Sequence, residues 1–155
     1  LLDAFPGDVL ATHAERGDAT ALMDAARSVE VLRFLRDTAG LDFDMLIDLT
    51  AVDYAGYPER DGPRFEVVYH LFSSRHMHRV RVKAGVPEMP CQIDSCVAIW
   101  PAANWMEREA FDLYGVRFRN HPDLRRILLY EEFEGHPLRK DYPKERRQPL
   151  VGPRN

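Results

Sequence analysis

Cysteine is scarce in this chain of 155 residues, lysine nearly as scarce, and long apolar runs are missing. The two cysteines, Cys91 and Cys96, are too few for a disulfide framework and suit a reducing compartment. Four residues separate them rather than two, which argues against a zinc knuckle or a redox pair. An iron–sulfur cluster takes about four cysteines, so this chain cannot hold one alone. No window approaches the ~18–20 apolar residues of a membrane span, and no signal peptide is visible. Neither Gly-x-Gly-x-x-Gly nor Gly-x-x-x-x-Gly-Lys-Ser/Thr occurs, which removes the usual dinucleotide and phosphate cradles. Ser73, Ser74 and His76 are close in sequence but lack a nucleophile elbow and read as turn residues. His76 and His78 could share a strand face, yet no third metal ligand is near them.

The length suits one domain, and Leu1 stands where an initiator methionine would, so residues upstream are expected. Apolar side chains make up 45% and charged ones 30%, ordinary for a globular domain. Charge is unevenly spread. Residues 1–116 carry 11 basic against 19 acidic side chains, a net of −8, whereas residues 117–155 carry 10 against 6, a net of +4. An acidic body with a basic final third points to a protein partner with an acidic surface, and the body would repel nucleic acid.

Elements are legible in outline along the chain. Leu1 to Phe5 is the end of a helix. Val9–Arg16 and Ala19–Met23 flank Gly17-Asp18 as a hairpin. Asp24 caps a helix to about Ala39, with Ala25, Val29, Leu32 and Leu35 inward and Gly40 as terminator. Ile47 to Tyr54 is a strand, and Ala55 to Pro63 a loop. Phe65, Val67, Tyr69 and Leu71 alternate as one face of a strand, with Val80 and Val82 on its hairpin partner. Ala84 to Pro90 is a loop, and Ile93 to Trp100 a short helix. A further helix starts at Pro101, with Met106, Ala110 and Leu113 as its apolar stripe and Gly115 as its left-handed cap. Val116–Arg119 is a short strand, Asn120–Asp123 a turn, and Leu124–Tyr130 another short strand. The expected fold is a two-layer α+β domain with a mixed or antiparallel sheet and helices on one face, followed by an extended C-terminal arm. Its divisions are a globular domain over 1–130 and an extended segment over 131–155, whose end is either disordered or held in extended form by another protein. The last twelve residues, Lys144 to Asn155, hold too few aliphatic side chains to build a core.

Chemistry concentrates between Trp100 and Pro143, which holds both tryptophans, two His-Pro pairs and the doublets Arg125-Arg126 and Arg139-Lys140. The run Glu107-Arg108-Glu109-x-Phe111-Asp112-x-Tyr114-Gly115-Val116, then His121-Pro122-Asp123-Leu124-Arg125-Arg126-Ile127-Leu128, resembles the signature of the NuoC-type subunit of respiratory complex I, the proton-pumping NADH–quinone oxidoreductase. Gly135-His136-Pro137-Leu138-Arg139-Lys140-Asp141-Tyr142-Pro143 is similar to that family's second block. Leu49-Thr50-Ala51-Val52-Asp53-Tyr54 resembles it upstream, so the likeness covers most of the chain. Asn120, where glycine is commoner, and Tyr130-Glu131-Glu132-Phe133 depart from the pattern without touching its charged positions.

The resemblance implies a scaffold subunit of the peripheral arm with no catalytic, cofactor or metal residue of its own. The complex as a whole uses NADH, FMN, iron–sulfur clusters and quinone. Implied partners are the quinone-site (D-type) subunit and neighbouring iron–sulfur subunits, on the cytoplasmic face of the bacterial inner membrane, or the matrix side if mitochondrial. Read on their own, Arg108, Asp112, Arg125 and Arg126 are expected to form partly buried ion pairs locking the helix to the chain after it, since planar guanidinium suits bidentate pairing. Arg139, Lys140 and Tyr142 are expected to bond a partner subunit. Two alternatives stand beside this: the equivalent subunit of a membrane-bound hydrogenase, formate hydrogenlyase or plastid-type NAD(P)H dehydrogenase, or an autonomous enzyme using Glu107, Asp112 and His121.

Overall fold

The computed structural model describes residues 1–58 and 61–148. The end of the expected C-terminal arm, residues 149–155, and two positions of the loop before Pro63 lie outside the described residues. Five strands form the main sheet: β1 (Val9–His13), β2 (Thr20–Asp24), β3 (Met45–Asp53), β4 (Phe65–Ser73) and β5 (His78–Val86). Their spatial order is β1-β2-β5-β4-β3, antiparallel throughout except for the parallel β2–β5 pair. Helix α1 (Ser28–Asp37) follows β2, as a parallel crossover requires. Strand β6 (Gln92–Asp94), helix α2 (Ala103–Tyr114) and strand β7 (Arg117–Arg119) form a second unit in which β6 and β7 pair in parallel around the helix.

Alternation in β4 sets the core. Leu49, Tyr69, Val82 and Ala21 lie in one row across four strands, and Ala51, Val67, Ala84 and Met23 in the next. All eight are at most 3% exposed. A bulge at Ile47 lets Leu46 pair with Leu71 and return to the core side. Val31, Leu32 and Leu35 of α1 and Ala103 and Ala110 of α2 join the same cluster, with Ile93, Trp100, Val116 and Phe118 of the smaller unit. The α+β expectation therefore holds, with a mixed five-stranded sheet.

Several boundaries differ from those that local sequence suggests. Leu1 to Phe5 forms turns rather than a helix end. β1 stops at His13, and a single 3-10 turn at Glu15–Gly17 completes the link to β2. Asp24 does cap, accepting a hydrogen bond from the Ala26 amide at 2.8 Å, but it caps a 3-10 turn ahead of α1. β5 continues to Val86 through Gly85, which loop chemistry alone marks as a break. Gly85 is there because Pro63 lies against it: a Cβ would fall 2.7 Å from the proline Cγ. Ile93 to Trp100 is not a helix. Its start belongs to β6, whose partner is supplied 25 residues later.

Candidate functional site

Helix α2 has three working sides. Ala103, Glu107 and Ala110, spaced i, i+4 and i+7, form the buried side. An acid thus occupies the centre of the buried side, which is rotated from the stripe that apolar spacing assigns to Met106, Ala110 and Leu113, so that Met106 and Leu113 are only half-buried. Glu107 is 0% exposed. Its Oε2 accepts from Ser95 Oγ at 2.6 Å, and its Oε1 accepts from the Cys96 amide at 2.7 Å. Burial pushes this carboxyl above its usual pKa, and the Ser95 and Cys96 donors offset only part of the shift. His121 is sealed beside it, with Nε2 4.0 Å from Glu107 Oε2. The Asp123 amide donates to His121 Nδ1 at 3.0 Å, so Nε2 carries the proton and donates to the Asn104 carbonyl at 3.1 Å.

Asn104, Arg108 and Asp112, spaced i, i+4 and i+8, form the second side, and the irregular chain 120–129 runs along it. Arg108 donates to the carbonyls of Arg125 (3.1 Å) and Arg126 (3.0 Å). Asp112, also 0% exposed, accepts the consecutive amides of Ile127 (3.1 Å), Leu128 (2.9 Å) and Leu129 (2.9 Å) on Oδ2. Its Oδ1 accepts from Arg126 Nη1 at 2.6 Å. Burial raises the Asp112 pKa, but the Leu129 amide, the Arg126 guanidinium and the other two amides outweigh it and hold the carboxyl low. Arg126 also donates to the carbonyls of Phe133 and Gly135, drawing the next turn inward. Leu124–Tyr130 is consequently not a strand. Three amides converging on one oxygen need a curled backbone, and Asp112 replaces the neighbouring strand as acceptor.

The second block wraps the C-terminal end of α2. Gly115 caps the helix at φ 77°, and a Cβ there would lie 2.5 Å from Arg139 Nη2 and 2.6 Å from His136 Cδ2. His136 Nδ1 pairs with the Asp112 carbonyl at 2.9 Å, and Arg139 Nε donates to the Tyr114 carbonyl. The Lys140 amide donates to Asp53 Oδ2 at 2.9 Å. Asp53 extends the core row where an apolar residue is expected. Arg64 grips it through Nε (3.0 Å) and Nη2 (2.9 Å) while also reaching Asp141 (2.8 Å) and Glu88 (2.6 Å). Burial alone raises the Asp53 pKa. Arg64 and the amides of Lys140 and Ala55 overcome that and lower it to about 2. Arg64 and Arg139 each place a guanidinium about 5 Å from the Phe65 ring centre, at 4.9 and 5.0 Å.

Most predicted residues thus gather on one side of the molecule, but as internal fastenings. Arg108 bonds carbonyls rather than Asp112, and Arg125 is exposed and pairs with Asp123. Arg139 and Tyr142, expected at partner contacts, have partners within the chain, as does Asp141; Tyr142 stacks on Phe133 and closes on Gly135. Lys140 bonds through its amide, and Leu124 packs against the core. Pro122 is exposed and Pro137 half-buried. Glu109 stands out in solvent without an ion pair among the described residues. Arg64 and the Ser95–Cys96 corner escape a reading of sequence alone; the one available signal is Asp53 interrupting an apolar alternation.

The geometry does not assemble a catalytic group from Glu107, Asp112 and His121. Both His121 nitrogens are committed, and Asp112 is saturated by four donors. His76 bonds Asp42 and His78 bonds the Leu41 carbonyl, so both rings are engaged within the chain. Among the described residues, no group of three or more His, Cys, Asp or Glu could hold a metal ion, and no helix is long and apolar enough to cross a membrane. A cavity of about 640 Å³ lies elsewhere, on the sheet face away from the core, lined by Asp48, His70, Arg79 and Arg81 among others.

Comparison with known proteins places the chain itself in a family. The family model described as the respiratory-chain NADH dehydrogenase 30 kDa subunit matches residues 21–148. The NADH-quinone oxidoreductase C subunit of Geobacter sulfurreducens is 46% identical over 154 residues, 98% of this chain and 92% of that protein. Its counterpart in Hyphomonas neptunium is 51% identical over 139 residues, 90% of this chain and 66% of that protein. Among solved structures, a trypsin-resistant fragment of Nqo5 superposes with a TM-score of 0.68 at 30% identity, covering 74% of this chain and 89% of the fragment. A chain of the membrane-bound sulfane sulfur reductase, an archaeal respiratory membrane complex, gives 0.75 at 26% identity, covering 93% of this chain and 82% of that one.

Proposed function

Because the chain belongs to the family of the respiratory-chain NADH dehydrogenase 30 kDa subunit, we propose that it is the NuoC-type subunit of an NADH–quinone oxidoreductase and acts there as a scaffold. The assembly carries electrons from NADH through FMN and iron–sulfur clusters to quinone and couples this to proton translocation. In that assembly the chain holds its neighbours in register and binds no cofactor itself. One observation supports this role above the rest: Arg108, Asp112, Arg126 and Arg139 of the signature are used up in lacing residues 120–142 onto α2. Such a site gains rigidity and loses reactivity, which suits a surface that must fix distances between other subunits.

The partners in this reading are the quinone-site subunit and adjoining iron–sulfur subunits, on the cytoplasmic side of the membrane. Residues 1–130 form the body, and the segment from 131 docks outward while its inner side stays fastened to Asp53 and Tyr114. A tag on this chain in its source cell, followed by purification and identification of the companions, tests the reading. NADH-driven quinone reduction by the purified assembly is the expected activity. Hydrogen evolution without it, or a chain recovered alone, would overturn the proposal.

A further inference from the structure

Two sides of α2 are consumed by the core and by the chain 120–129; among the described residues the third is open. It carries Trp105, 71% exposed, with no hydrogen-bond or ring partner among the described residues. Trp105 and Asp112 are seven residues apart and share one line along the helix, about 10 Å long. The far half of that line is roofed by the backbone that Asp112 holds, with Leu128 on top at 60% exposure. Leu138, 47% exposed, is anchored nearby by its amide to the Leu113 carbonyl. The near half, under Trp105, has no roof among the described residues. Glu109, one turn along, is exposed and makes no ion pair among the described residues.

From this arrangement we infer that the Trp105 side of α2 is a docking surface for another subunit of the assembly, which presents an apolar pocket for the indole and an arginine or lysine at its rim for Glu109. The inference rests on the proposed function, which supplies a protein assembly as the setting. The chemistry follows from desolvation. Covering Trp105 removes a large apolar surface from water, the strongest kind of interface anchor. The same act dries Glu109, and a carboxylate is dried without large cost only opposite a cation. Although residues 117–155 are net basic and would attract acidic surface, Arg125 is already paired with Asp123, so at this ridge the free carboxylate sets the partner's charge. Rigidity contributes too: the helix beneath is fastened on both other sides, so the anchor loses little freedom on docking.

The test is competitive incorporation. Wild type and Trp105→Ala, carrying different tags, are expressed together in the source cell, and the assembled complex is purified through a different subunit. The variant should be under-represented roughly tenfold or more, Trp105→Phe less so, and Glu109→Lys comparably to the alanine variant. The melting temperature of the isolated Trp105→Ala chain should match wild type, because the side chain touches little of its own protein. A photo-crosslinking residue at position 105 of the assembled chain should label another subunit within reach of an arginine or lysine. Equal incorporation, or cross-links confined to this chain or a second copy of it, would overturn the inference while leaving the proposed function intact. A wild-type chain found in no assembly would remove both.

Discussion

At position 115 two independent demands fall on one residue. The backbone is left-handed, and a methyl group would occupy space already taken by Arg139 and His136. Gly115→Ala should cost about 2 kcal/mol or more, lowering the melting temperature by roughly 5 °C. Thermal unfolding checks this, and an unchanged midpoint would contradict the packing described. Glu107 makes a prediction of opposite kind. Its folded pKa lies above the ordinary carboxylate value, so the folded protein holds the proton more tightly than the unfolded chain. The resulting penalty is absent below about pH 4.5, grows as pH rises toward the folded pKa, and is constant beyond it. Glu107→Gln should flatten that descent in a series of melts from about pH 4 to 8. A slope equal to wild type would show the carboxyl to be ionised in the fold throughout. Part of this residue-level detail is legible in the sequence. Gly115 follows from its place at the end of an amphipathic run. Glu107 does not, because a periodicity of apolar residues has no means of marking a buried acid whose donors lie eleven and twelve residues upstream.

Among the elements, strands joined by short turns are the readable part. Phe65 to Leu71 alternates cleanly, and both sides of the β4–β5 hairpin follow from it. Harder to read is everything whose partner is remote. β6 spans three residues and exists because β7 lies beside it, on the far side of α2. Leu124–Tyr130 has the composition of a strand, yet its amides go to the Asp112 carboxylate. That substitution makes Arg126 a sharp probe of the element. Arg126→Ala removes the counter-charge of a wholly buried carboxylate together with three carbonyl contacts, at a cost of about 3–5 kcal/mol. The amount of assembled oxidoreductase should fall, while turnover per assembled complex stays near wild type. Full assembly with turnover abolished would instead assign Arg126 to the chemistry.

For the whole molecule, the decisive contact joins residues far apart in sequence. Asp53 ends β3, Arg64 precedes β4, and Lys140 and Asp141 arrive 87 and 88 positions after Asp53. With its folded pKa near 2, Asp53 contributes about 2 kcal/mol of stability. That contribution is complete above about pH 3.8 and disappears as the pH falls through 2. Arg64→Met should abolish this acid-sensitive portion and expose the chain after residue 131 to limited proteolysis. Cleavage no faster than in wild type would mean that the Asp112 bonds alone suffice to hold it. The same geometry bears on biosynthesis. A nascent chain can pair Asp53 with Arg64 as soon as both leave the ribosome, but Phe65 has only one of its two flanking guanidinium groups until Arg139 emerges. Closure of the domain is therefore a late event in translation, and a message cut short before the codon for Arg139 yields a body with its last clasp undone.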